Sequence, residues 1–68
     1  MDEEVFNLSL RKFLKTVGVS SQRDIEHAVA SAVQAGTIAG TEIFPATMTL
    51  DIPALNLHVT FDGDVKLQ

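Results

Sequence analysis

Cysteine is absent from this chain of 68 residues. Its absence removes disulfide staples, thiolate metal ligands and cysteine nucleophiles together. Stability must then come from hydrophobic packing or self-association, in a chain so short that folding buries only about 60% of its unfolded surface. Long apolar runs are missing too. Nothing approaches the ~18 residues that span a bilayer, and Met1-Asp2-Glu3-Glu4 lacks the basic start of a secretory signal. The expectation is a cytoplasmic protein with no membrane partner. Basic charge is scarce, with 5 Lys and Arg against 9 Asp and Glu and a net charge of −4. Broad nucleic-acid binding draws its affinity from clustered bases, so nucleic acid is not an expected partner. Repeats, low-complexity tracts and charge blocks are lacking as well, which leaves a single domain over residues 1–68 as the economical reading.

What is present is strong periodicity. Asp2 is placed to cap a helix over about residues 3–17, with Phe6, Leu10, Phe13 and Val17 on one face and Gly18 as a left-handed stop. Ser20 or Ser21 then caps a second helix over about 21–35, with Ile25, Val29, Ala32 and Val33 inward and Gly36 at its end. Gly36 to Pro45 reads as a connector. From Ala46 to Phe61 the period changes to two, which predicts strands over about 46–52 and 55–61 joined at Pro53-Ala54. Pro53 cannot adopt the positive φ of a primed two-residue turn, so a four-residue loop from Ile52 to Leu55 is expected. That register sets Leu50 against Leu57 and Met48 against Val59. Asp62-Gly63-Asp64 reads as a second turn, with a short third strand over 65–67.

The fold class expected is therefore α+β, two N-terminal helices packed on a C-terminal antiparallel hairpin or three-stranded meander. Its core is expected to gather Phe6, Leu10, Phe13, Val17, Ile25, Val29 and Val33 with Met48, Leu50, Leu57, Val59 and Phe61.

No catalytic, cofactor-binding or metal-ligating residue can be assigned. His27 and His58 are the only histidines, and neither stands in an HxxxH or HxxE spacing. Asp62-Gly63-Asp64 has the start of a calcium loop but none of its later oxygen ligands. Gly36 and Gly40 are not followed by the Lys-Ser/Thr of a phosphate loop, and no serine sits in a G-x-S-x-G turn. The one charged cluster with a functional reading is the face bearing Leu8, Arg11, Lys12 and Lys15, joined by Arg23, which is the candidate partner-binding surface.

Phe6-Asn7, Arg11-Lys12-Phe13-Leu14-Lys15, Val17-Gly18-Val19, Ser21-Gln22-Arg23-Asp24-Ile25-Glu26, Pro45-Ala46 and the closing Asp62-Gly63-Asp64 together resemble a family of short bacterial proteins known only as a domain of unknown function. The resemblance covers nearly the whole chain. It implies a small self-contained bacterial domain and supplies no activity, cofactor or partner. The expected function is a non-catalytic protein-interaction module, binding an unknown protein or itself as a homodimer. The alternative is a small nucleic-acid-binding regulator of winged-helix-like layout, in which the second helix would enter the major groove.

Overall fold

The structure is a computed structural model that describes residues 1–68. It is α+β, with the element order α1 (Glu3–Ala35), β1 (Ile43–Ile52), a 3-10 turn (Pro53–Leu55) and β2 (Leu57–Lys66). The chain divides into two compact units, Met1–Thr37 and Ile38–Gln68.

The first unit corrects the two-helix expectation. Residues 3–17 and 21–35 belong to one continuous helix of 33 residues, about 50 Å long at 1.5 Å per residue. Gly18 does not turn the chain; the glycines with positive φ are Gly36 and Gly40. Within a helix a glycine costs only about 1 kcal/mol relative to alanine, and no proline follows to forbid propagation. The residues expected inward after Gly18, Ile25, Val29, Ala32 and Val33, lie about 115° around the helix from Phe6, Leu10, Phe13 and Val17, so continuity of the helix does not merge the two stripes into one. Both ends follow the sequence reading. Asp2 accepts hydrogen bonds from the Glu4 and Val5 amides at 2.9 and 3.2 Å, and Glu3 and Glu4 complement the positive end of the dipole. At the other end Gly36 is left-handed, with φ 75°. The Thr37 amide bonds the Ala32 carbonyl and the Gly36 amide bonds the Val33 carbonyl, the paired pattern that satisfies a helix's last acceptors. The Thr37 hydroxyl donates to the Ala32 carbonyl as well, at 3.1 Å.

The second unit is one antiparallel hairpin whose strands are longer than the 46–52 and 55–61 expected. Its register runs from Ile43 opposite Lys66 to Ile52 opposite Leu57. Leu50 therefore faces Val59 and Met48 faces Phe61, a shift of two residues from the sequence reading. The loop is four residues as expected but lies one residue later, over 53–56, and it closes with Asn56 at φ 52°. The expected loop would have put Leu55 at that left-handed position, where a branched apolar residue is disfavoured and asparagine is tolerated. Because the slip is even, every side chain keeps its face.

Asp62-Gly63-Asp64 is likewise not a turn, and no third strand forms at 65–67; β2 runs straight through the motif. Gly63 sits opposite Ala46 on the apolar face, while Asp62 and Asp64 fall on the polar face opposite Thr47 and Pro45. Pro45 is admitted to β1 for a related reason. The Leu67 amide bonds the Glu42 carbonyl at 3.1 Å, so residues 42 and 67 form a hydrogen-bonded pair. Alternation then points the nitrogen of residue 45 away from β2, where a missing N–H loses no ladder bond.

No residue of the chain is buried, which corrects the expected core. Val17, Val29, Leu50, Leu57 and Val59 are half-buried, whereas Phe6, Leu10, Phe13, Ile25, Val33, Met48 and Phe61 are exposed. A lone helix has no interior and a two-stranded sheet has two outer faces, so neither unit makes a core from its own residues.

Candidate interaction surfaces

The hairpin sorts its side chains by parity. On one face stand the pairs Phe44/Val65, Ala46/Gly63, Met48/Phe61, Leu50/Val59 and Ile52/Leu57, without a polar group among them. On the other stand Ile43/Lys66, Pro45/Asp64, Thr47/Asp62, Thr49/Thr60 and Asp51/His58. Two of the polar pairs meet. The Thr47 hydroxyl donates to an Asp62 carboxylate oxygen at 3.1 Å, and His58 Nδ1 lies 3.6 Å from Asp51. Both are exposed cross-strand contacts of the kind that align strands and add little free energy.

The helix is divided less sharply. At about 100° per residue, Phe6, Leu10, Phe13, Leu14 and Val17 share roughly 120° of arc with Ser21, Ile25, Ala28, Ala32 and Ala35, but Asp24 and Ser31 fall within the same arc and Val29 and Val33 outside it. The candidate partner-binding residues Leu8, Arg11, Lys12, Lys15 and Arg23 occupy a different arc of similar width. Because α1 is continuous, Arg23 stands three turns along from Lys12 and within about 20° of it. Leu8, 64% exposed, lies among the basic residues. An open hollow of about 260 Å³ beside this surface is lined by Lys15, Thr16, Val19 and Ser20. The turn between two helices that a winged-helix layout requires does not form, since residues 18–21 are helical.

Within the second unit, the segment that precedes β1 is organised by one carboxylate. Glu42 accepts the amides of Ala39 and Gly40 at 2.8 Å and of Thr41 at 3.0 Å. These bonds, that from Ala39 foremost, hold its carboxyl below the usual range. In the sequence Glu42 counts only among the acids of the second half, because a glutamate that accepts from the amides preceding it has no local signature. His27 is exposed on α1, and no group of three or more His, Cys, Asp or Glu is arranged to hold a metal ion. No helix is long and apolar enough to cross a membrane.

The family described as "Family of unknown function (DUF6494)" matches residues 1–68, the full length of this sequence, and the chain belongs to it. No curated protein and no solved structure matches the chain.

Proposed function

We propose that this family member is a small non-catalytic protein-interaction module that associates with itself. The observation that carries this reading is a pair of apolar surfaces, the five hairpin pairs without a polar group and the face of Phe6, Leu10, Phe13, Leu14 and Val17 on the first half of α1. Phe6, Phe13 and Phe61 each keep about half of their surface in water. Contiguous apolar surface on that scale marks a contact site. Each unit leaves its apolar side chains exposed, and a second copy offers the same surfaces to cover them. The polar groups that do meet cap the helix, close the connector and align the strands, and this supports a binding rather than a chemical role.

The test is the molar mass of the intact protein by light scattering across a concentration series, with Leu50→Asp on the hairpin face as the comparison. A dimer or higher assembly that dissociates on dilution is the expected result. A monomer at every concentration sinks the reading. The basic arc of α1 supplies a contrary test, because salt-sensitive retardation of random duplex DNA would make Arg11, Lys12, Lys15 and Arg23 phosphate contacts instead.

A further inference from the structure

The hairpin has two open edges, and they are not equivalent. Residues 42 and 67 form a hydrogen-bonded pair, so along the register the odd residues of β1 and the even residues of β2 turn their backbone amides and carbonyls outward. The β1 edge includes Pro45, which has no amide to donate, and a proline on an edge works against pairing. The β2 edge runs through His58, Thr60, Asp62, Asp64 and Lys66, all exposed, and each supplies a backbone donor and acceptor. Its side chains are ordered as well. His58 and Thr60, which can donate a hydrogen bond, come first; Asp62 and Asp64, which only accept when ionised, follow.

Resting on the self-association reading, we infer that β2 pairs antiparallel with β2 of a second copy, about a two-fold axis that crosses the seam at Phe61. The two ribbons then form one four-stranded sheet with their apolar side chains on a single face. In this register Thr60 stands opposite Asp62 of the second copy and His58 opposite its Asp64, so the donor half of each strand lies along the acceptor half of the other. Thr47 occupies one Asp62 oxygen, and the other is left for Thr60 of the second copy. On the apolar face Met48 and Phe61 continue into Phe61 and Met48 of the second copy as one row across the sheet. The two Phe61 residues face each other at a non-hydrogen-bonded position, where side chains come closest. Leu57 meets Val65 and Val59 meets Gly63. Moving the axis one residue toward the loop shortens the ladder; moving it one residue the other way sets Asp62 directly against Asp62. With the axis at Phe61 those two acids are diagonal neighbours, roughly 7–8 Å apart. A sheet of more than two strands is also what a ribbon of this kind needs for stability.

Thr49 and Thr60 stand opposite each other in the hairpin and both turn their amides outward. Proline at either position therefore removes a donor from one open edge and none from the ladder between β1 and β2. The molar mass of the full chain is measured across a concentration series for Thr60→Pro and Thr49→Pro, with slow amide exchange at Leu50 and Val59 reporting an intact hairpin. Thr60→Pro is expected to weaken the association on the order of tenfold or more, and Thr49→Pro to leave it unchanged. The reverse pattern would place the seam on β1, and association untouched by either proline would remove both edges; each result overturns the inference while self-association stands. A wild-type monomer at every concentration removes both readings together. The register has its own readout, because the chain has no cysteine. Phe61→Cys sets two thiols opposite each other with Cα atoms roughly 4.5 Å apart, within reach of a disulfide, and mild oxidation is expected to give a covalent dimer. A dimeric mass that stays unlinked moves the axis away from Phe61 and overturns the register.

Discussion

Replacing Gly18 by alanine separates one continuous helix from two helices by the sign of a single number. In α1 the residue has an ordinary helical backbone, and a Cβ built on it meets nothing within 4 Å. Alanine there gains about 1 kcal/mol of helix propensity, chiefly by restricting the unfolded chain. For a domain of this size 1 kcal/mol corresponds to a rise in Tm of roughly 4–8 °C. Were Gly18 a left-handed stop, the same change would force alanine into that region at a loss of about 1–2 kcal/mol. Gly36→Ala is the internal control, since φ is 75° at that position and Tm is expected to fall. Both variants are followed by far-ultraviolet circular dichroism during thermal and urea unfolding, at one fixed protomer concentration because association shifts apparent stability. A lower Tm and lower helix content for Gly18→Ala would refute the continuous helix.

Asp2→Ala removes the acceptor of the Glu4 and Val5 amides; helix stability is expected to fall by about 1 kcal/mol, with faster hydrogen exchange at those two amides. Asn56→Val is expected to destabilise the hairpin by roughly 1–2 kcal/mol because of the left-handed backbone at that position, while Asn56→Gly leaves the urea midpoint nearly unchanged. Glu42 gives a pH dependence. Its folded pKa is depressed, so its contribution is complete above the unfolded value and is lost as pH falls through the lower folded value. The Ala39 and Gly40 amide resonances should follow that titration, with a midpoint below the ordinary glutamate range, and should cease to follow it in Glu42→Gln; a midpoint at or above the ordinary range would contradict the hydrogen-bonded geometry.

The helix ends and the sheet faces were legible because each is written in a few adjacent residues. Asp2 and Gly36 cap through their own side-chain or backbone chemistry, and period-two alternation survives any even slip in register. The helix interior was not legible in the same way. Gly18 followed by Ser20 and Ser21 is a plausible stop and cap read locally, and it loses because a glycine inside a helix costs only about 1 kcal/mol and no proline follows it. The hairpin register turned on Asn56, three residues past Pro53, since a four-residue loop is placed by the residue that can take its left-handed position. Asp62-Gly63-Asp64 has turn composition, yet a strand also accommodates it when a partner of small size, Ala46, stands opposite the glycine.

The candidate surface depended on that helix continuity more than on any motif. Split at Gly18, the bases of residues 11–15 and Arg23 belong to separate helices with no fixed relation, and the apolar residues form two short stripes that invite each other as partners. Joined, the bases become one arc along one helix, and a straight helix cannot fold back to cover the apolar side chains of either half.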